Sequence, residues 1–184
     1  VNEQLVRSPK LQELHPYQDD STLQGILEIM YKLEQYLKSI SGMDRVSLQP
    51  SGGSQAIFAN VQAIRAYHES RGEGEQRDEI ITTILSHPAN PGAAATLGYK
   101  VITLYPGEDG LPDLEALKAA VSKRTAALLI TNPEDTGIYN DRIRQFVDKV
   151  HEVGGLCVYD QANLNGVFGL TRARDAGFDM CHYN

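Results

Sequence analysis

The stretch GGLCVYDQAN, residues 154–163, decides how the rest of the sequence is interpreted. Two glycines end the helical pattern before it, and a short, mostly apolar run follows that is typical of a buried strand. That run ends in Asp160. Burial of a carboxylate there costs free energy, because hydration is lost, unless a cation or several hydrogen-bond donors compensate for it. The sequence therefore predicts a strand that carries a carboxylate to a specific partner.

Similar apolar runs lie on both sides of this stretch and alternate with helical patterns. The predicted strands are Val46–Gln49, Ile80–Leu85, Lys100–Leu104, Thr125–Ile130, Leu156–Tyr159 and Phe178–His182. The predicted helices between them are Gln55–Ser70, Pro91–Leu97, Asp113–Val121 and Asp141–Val153. This alternation indicates right-handed crossovers. It predicts an α/β fold of three layers, in which a mostly parallel sheet has helices on both faces.

The N-terminal part of the chain has a different character. Residues 1–20 are polar and contain Pro9 and Pro16, which predicts an extended N-terminal arm. From Leu23 to Ile40, apolar residues recur at helical spacing, and Gly42 suits the end of that helix. We therefore expect an arm over residues 1–20 and one domain over residues 21–184.

The composition narrows the classes of partner and compartment. The chain has 184 residues and a net charge of −7, which argues against nucleic acid or an anionic membrane surface as the main partner. No apolar run is long enough to cross a bilayer. The two cysteines, Cys157 and Cys181, lie far apart and lack metal-ligand spacing, which favours reduced thiols in a reducing compartment.

Polar loops follow several of the predicted strands, at the sheet edge where α/β proteins bind ligands. The first loop, PSGGSQA, has glycines and the hydroxyls of Ser51 and Ser54 before a helix, which suits an anion cradle or a plain tight turn. His87 follows the second strand. Thr131 and Asn132 follow the fourth, where they offer a hydroxyl and an amide.

The partner of Asp160 is the remaining question. A metal is a poor candidate because no second acid or histidine lies at close spacing, and the following ANLNG is a weak helix start to cap. A cofactor with a cationic nitrogen is the most economical partner. Pyridoxal phosphate has such a nitrogen, and an acid that keeps it protonated lets the ring accept electrons.

The same loops carry a resemblance to a known family. They occur in the segments SGMDRVSLQPSGGSQ, HPANPGAAATLGY, EDGLPDLEALKAAV, TAALLITNP, VHEVGGLCVYDQANLNGVFG and GFDMCHYN. In order and spacing these segments resemble the P-protein family of the glycine cleavage system, the decarboxylating glycine dehydrogenases. The likeness is to their C-terminal half or separate second subunit, and it covers nearly the whole chain from about His15 onward.

The resemblance implies a fold, a reaction and partners. The fold is the large domain of fold-type I pyridoxal phosphate enzymes, of which residues 21–184 form a part. The reaction is decarboxylation of glycine, with transfer of the aminomethyl remainder to the lipoyl arm of the H-protein. The implied partners are glycine, lipoylated H-protein and a companion P-protein subunit or half. The implied location is the cytoplasm, or the mitochondrial matrix in a eukaryote.

The resemblance also implies roles for individual residues. Asp160 would pair with the pyridine nitrogen, while Ala162 and His87 would flank the two faces of the ring. The phosphate-side loop would contain Ser51, Gly53, Ser54 and Gln55, and the ring's phenolic oxygen would lie near Thr131 and Asn132. His182 lies on the strand that leads to the Schiff-base lysine, which is expected three residues beyond Asn184. No catalytic lysine and no metal ligand is therefore expected within the chain.

The chain departs from the family pattern at a few positions, and alternatives stay open. Ala56 and Ile57 stand where the family has Gly-Glu, and the loop TNPEDTG carries acids where the family is more neutral. One alternative is another fold-type I enzyme, such as an aminotransferase or a cysteine desulfurase-like protein. The other is a non-catalytic paralogue or partner subunit, which the Ile57 departure favours. We expect the isolated chain to be inactive.

Overall fold

A single parallel sheet forms the centre of the protein. The computed structural model describes residues 2–183. The strands are β1 (Glu79–Thr83), β2 (Lys100–Leu104), β3 (Thr125–Thr131), β4 (Leu156–Asp160) and β5 (Met180–His182). They lie in the order β2-β1-β3-β4-β5, and every pair is parallel. The predicted parallel α/β fold is confirmed.

In the described part of the chain, seven α-helices surround or precede the sheet. They are α1 (Asn2–Val6), α2 (Pro9–Gln12), α3 (Gln24–Ser41), α4 (Gly53–Ser70), α5 (Ala89–Thr96), α6 (Leu114–Ala120) and α7 (Ile143–Glu152). Helix α3 ends at Gly42, which takes the left-handed conformation that the sequence predicted for a stop. Among residues 2–183, no helix is long and apolar enough to cross a bilayer.

Strand alternation divides the core into two layers. On one face, Ile81, Leu128 and Tyr159 pack with the apolar sides of α6 and α7. On the other, Leu129 and Val158 pack with α4 and α5. Because successive side chains of a strand point to opposite faces, each strand supplies both cores. The predicted three-layer arrangement is confirmed.

Two local predictions differ from the structure. Residues 46–49 form no strand. Val46 and Leu48 are half-buried and line a cavity that β5 also lines, but they pair with no strand, and Pro50 removes the next backbone donor. The predicted extended arm contains the short helices α1 and α2. Helix α2 begins at Pro9, where a fixed φ and a missing N–H are tolerated.

A buried acid ties the loop after β3 to β1. The Thr83 hydroxyl donates to the Glu134 carboxylate, and the Asp135 N–H donates to the Leu85 carbonyl at 3.1 Å. Burial raises the pKa of Glu134 above its ordinary value of 4.5, and the Asp135 charge adds to this, while the Thr83 hydrogen bond lowers it. Folding therefore disfavours the ionised form of Glu134 relative to the unfolded chain.

This shift predicts a pH-dependent effect of Glu134→Gln in the full-length protein. A raised folded pKa means that ionised Glu134 costs stability above that pKa, and the cost disappears as falling pH protonates it. The amide keeps an acceptor for Thr83. We expect the variant to gain a few degrees in thermal midpoint at pH 7 and to lose that gain in acid. Glu75→Gln, at an exposed carboxylate, is the control and should show neither effect.

The glycine before β4 gives a second prediction. Gly154 has φ +83°, and a Cβ there would lie 2.6 Å from Nη2 of Arg77. Nη1 of Arg77 donates to the carbonyls of Thr125 and Val153, so Gly154→Ala strains the backbone and displaces a buried clamp. We expect a loss of about 2–3 kcal/mol in unfolding free energy.

Denaturant unfolding of the full-length protein measures this loss. Gly25→Ala is the matched control, because Gly25 lies in the first turn of α3, nothing beyond the neighbouring backbone lies within 4 Å of the added Cβ, and alanine has a higher helix propensity than glycine. It should leave stability unchanged or raise it by up to about 1 kcal/mol. Equal stabilities for the two variants would contradict the steric argument.

Candidate functional site

Polar side chains end three neighbouring strands on one face of the sheet. Thr131 is opposite Asp160 in the register of β3 and β4, and Asp160 is opposite His182 in that of β4 and β5. Val158 and Met180, two residues earlier, pack on the side of α4 and α5. Thr131, Asp160 and His182 therefore form a row at the carboxyl edge, on the face that α5 covers.

Asp160 is the most enclosed member of this row. The carboxylate is 1% exposed and has three partners. Oδ2 accepts from Nδ2 of Asn90 at 2.8 Å, while Oδ1 lies 3.1 Å from Nε2 of His182 and accepts from the backbone N–H of Ala162 at 3.1 Å. Groups of the chain itself therefore compensate for the burial of the Asp160 carboxylate.

These partners decide the charge of Asp160. Burial acts to raise the pKa of its carboxyl, but the hydrogen bond and charge of His182, the Asn90 amide and the Ala162 N–H together lower it below the usual 3.8. Asp160 is therefore ionised at neutral pH. An ionised acid at this point can hold a proton on a neighbouring ring nitrogen.

Asn90 contacts Asp160 directly, and the sequence analysis did not single it out. It is fully buried in the first turn of α5, on the face that also carries Ala93 and Ala94. The helical period was the available signal, because it places an asparagine among small apolar residues on a buried face. A buried amide on such a face needs a partner, and Asp160 is that partner.

His87 lies in the turn that starts α5. Its ring is exposed, and Nδ1 accepts from the Ala89 N–H at 3.1 Å. Its carbonyl accepts from the Asn90 N–H at 3.0 Å. One turn therefore fixes both the predicted ring-flanking histidine and the amide on Asp160.

The predicted phosphate loop forms the start of α4. The side-chain oxygen of Gln55 accepts from both the N–H and the hydroxyl of Ser51, at 2.9 and 2.8 Å, which closes the loop on itself. Within the described residues, the N–H groups of Gly53, Ser54 and Gln55 have no acceptor, as expected for a first helical turn. Such a turn attracts anions.

A cavity lies beside this loop and reaches the row at the sheet edge at His182. It has a volume of about 770 Å³, and its lining includes Ser51, Gly52, Ala56 and His182. Ile57, the departure from the family pattern, is 2% exposed and packs in the core instead. The side chain that replaces the family's glutamate therefore supports the helix and faces away from the cavity.

The other predicted site residues have mixed surroundings. The hydroxyl of Thr131 is buried without a partner among the described residues, whereas both amide atoms of Asn132 pair with the backbone of Asn140, at 3.0 and 2.8 Å. Asn132 thus closes the loop after β3. Ala162 is exposed just beyond Asp160. The lysine expected beyond Asn184 lies outside the described residues.

The opposite edge of the sheet contains the one group of described side chains spaced closely enough for a metal. The ligand atoms of His151, Cys157 and Asp179 lie within 4.8 Å of one another. Oδ2 of Asp179 pairs with the His151 ring at 2.8 Å and accepts from the Cys157 N–H at 2.7 Å. Burial chiefly keeps the pKa of the Cys157 thiol well above its usual range. The contacts of Asp179 with His151 and with the Cys157 N–H therefore explain why these three side chains lie close together.

Curated relatives match the chain along its whole length. A probable glycine dehydrogenase (decarboxylating) subunit 2 of Pyrococcus abyssi is 50% identical over all 184 residues. A protein of the same name from Alkaliphilus oremlandii is 41% identical over the same length. The chain spans 36% of the first relative and 38% of the second, so it corresponds to little more than a third of such a protein.

Solved structures show the fold, and a family model shows the family. A NifS-like protein superposes on 98% of the chain with a TM-score of 0.73 at 17% identity, covering 49% of that protein. SspA in complex with cysteine superposes on the whole chain with a TM-score of 0.75 at 14% identity, covering 53% of that protein. The model of class-V aminotransferases matches residues 50–168, which include the loop before α4, His87, Asn90 and Asp160. The chain belongs to the class-V aminotransferase family.

Proposed function

We propose that the chain is part of a pyridoxal phosphate-dependent glycine decarboxylase, the second subunit of a glycine dehydrogenase. The observation that carries this proposal is 50% identity, over every residue of the chain, to a relative that bears that name. The geometry of the carboxyl edge supports it, because that edge combines an ionised buried acid with a helix N-terminus. The likeness to solved structures supports the fold alone.

The residues at this edge fit the cofactor. Among the described side chains, several buried polar atoms without a partner concentrate here, and each such atom calls for an explanation. They are Asn90 Oδ1, Thr131 Oγ1, Gln161 Oε1 and His182 Nδ1. A carboxylate has about four acceptor positions, and Asp160 has three donors. A ring nitrogen would add a fourth donor or replace one of the three.

Each residue has a definable task in this proposal. When bound, pyridoxal phosphate supplies a protonated ring that takes up the electrons released as the glycine carboxyl group leaves. Asp160 holds the proton on the ring nitrogen. The free N–H groups of Gly53, Ser54 and Gln55 bind the phosphate, with Ser51 fixing their loop. His87 and Ala162 flank the ring, and Thr131 offers its hydroxyl to the ring's oxygen.

The partners follow from the same proposal. The relatives are named as a second subunit, which implies a companion subunit. Glycine is the substrate, and the lipoyl arm of an H-protein accepts the aminomethyl group. Both described cysteines are free, which is compatible with the reducing cytoplasm or mitochondrial matrix that we propose as the location. The intact Asp160 cluster favours a catalytic role over that of a paralogue without chemistry.

The proposal predicts the effect of Asp160→Asn in the full-length protein assembled with its companion subunit. The amide fills the same volume but cannot hold a proton on the ring nitrogen as a charged acceptor. We expect release of carbon dioxide from glycine, in the presence of lipoylated H-protein, to fall by a factor of about 100 or more, as for loss of roughly 3 kcal/mol of transition-state stabilisation. The amide also has only one acceptor oxygen, and its NH2 would face a donor that the carboxylate oxygen accepts from, so stability should fall by about 1–3 kcal/mol.

Asp175→Asn is the matched control. Asp175 is an exposed carboxylate whose partner is Arg172, at 2.7 Å, so the same chemical change there should leave the rate unaltered. Rate and thermal midpoint are measured on the same samples. Near-normal turnover by Asp160→Asn with a lowered midpoint would show that Asp160 acts in folding alone. Absence of glycine-dependent carbon dioxide release from the unaltered assembly would refute the proposed function.

A further inference from the structure

Asp160 has an uneven set of partners, because among residues 2–183 one carboxylate oxygen has two partners and the other has one. Oδ1 is met twice, by His182 and by the Ala162 N–H, at 3.1 Å each. Oδ2 is met once, by Nδ2 of Asn90 at 2.8 Å. The torsion that turns a carboxylate about its own axis has broad minima, so a group held at one oxygen still turns. Asn90 therefore decides whether the plane of the Asp160 carboxylate is fixed.

We propose that Asn90 is a positioning residue of the cofactor site, which holds the Asp160 carboxylate ionised and in one plane for a ring nitrogen. This inference rests on the proposed function. Asn90 acts through Asp160, so its effect is on the affinity of the site for the ring and on the pH range in which the ring binds.

The fold holds Asn90 rigidly enough for this task. Its side chain is fully buried, and it lies in the first turn of α5, which packs against α4 and β1. Its N–H donates to the His87 carbonyl at 3.0 Å. The amide therefore has little freedom, and the same turn sets the position of His87 relative to Asp160.

The chemistry of the contact requires an amide. The nitrogen faces Asp160, because a carbonyl oxygen in that position would put two acceptors together. Leucine has nearly the same shape and no donor. Aspartate also has the same shape, but it would place a second carboxyl about where the amide lies, which raises the pKa of the pair. These two substitutions therefore separate loss of a donor from addition of a charge.

The experiment measures binding of pyridoxine phosphate to the full-length protein with its companion subunit, from pH 4 to pH 8. This probe has the ring nitrogen and phosphate but lacks the aldehyde, so it forms no bond to any lysine and reports only on the non-covalent contacts. Binding through the ring nitrogen requires ionised Asp160. Because the pKa of Asp160 lies below its usual 3.8, the unaltered protein should keep this contact down to pH 4, and a loss that appears above pH 4 indicates a raised pKa.

For Asn90→Leu we expect affinity at pH 7 to fall about tenfold and the acid-side loss to move to higher pH, because the Asp160 pKa rises without its donor. Asn90→Asp should move that loss further up, since the second carboxyl competes for the negative charge. Asn140→Leu is the control for destabilisation alone. It removes a buried acceptor of the Arg142 N–H, at 3.0 Å, without touching Asp160. It should leave the acid-side loss where it is in the unaltered protein.

The outcomes separate the two proposals. If the unaltered protein binds pyridoxine phosphate and Asn90→Leu and Asn90→Asp keep its affinity from pH 4 to pH 8, Asn90 has no positioning role, whatever its effect on thermal stability. If the unaltered protein fails to bind the probe at any pH, the proposed cofactor site is wrong, and the role of Asn90 falls with it. Should Asn90→Leu fail to fold, the isosteric Asn90→Asp decides the question alone.

Discussion

The structure depends on the burial of one negative charge at the end of β4. An ionised carboxylate is stable there only because donors from separate parts of the chain reach it: Asn90 from α5, His182 from β5 and the N–H of Ala162 from the chain beyond β4. Loss of one partner would leave a buried charge short of donors, which is far costlier than loss of an exposed ion pair. The charge thus links the order of the strands to the placement of α5.

The parallel sheet makes this convergence possible. Asn90 and Asp160 are 70 residues apart, yet β1 and β4 both neighbour β3 and end at the same edge. After β1 the chain crosses to β2 on one side of the sheet, whereas after β3 it crosses to β4 on the other side. The two connections therefore run in opposite directions from the neighbouring strands β1 and β3. Ligands of α/β proteins bind where strand order reverses in this way. His87, in the turn after β1, and Asn90, in the first turn of α5, lie in that region.

Much of this was readable in the sequence because local patterns carry it. Short apolar runs and the helical period predicted six strands and the helices between them, and five of these strands form. The polar loops at strand ends predicted Asp160, His87 and Thr131 as site residues. The strand predicted at 46–49 was wrong because pairing is a long-range property that a run of four residues does not encode. Asn90 was missed for a related reason. Its role is visible only once β4 lies beneath α5, and Asn132 likewise proved to bond to the backbone of Asn140.

The question raised by Asp160 receives a different answer from the one its sequence suggested. A buried carboxylate at a strand end appeared to need a cationic ligand, but three protein donors already meet it and lower its pKa. Structural satisfaction and chemical use are compatible here, because the donors stabilise the charged form of the acid. If the carboxyl group were neutral until the ligand bound, it would have no negative charge with which to attract a ring nitrogen. In the proposed function, the site would thus hold this charge before the ring binds, and electrostatic stabilisation is effective when it is preorganised in this way.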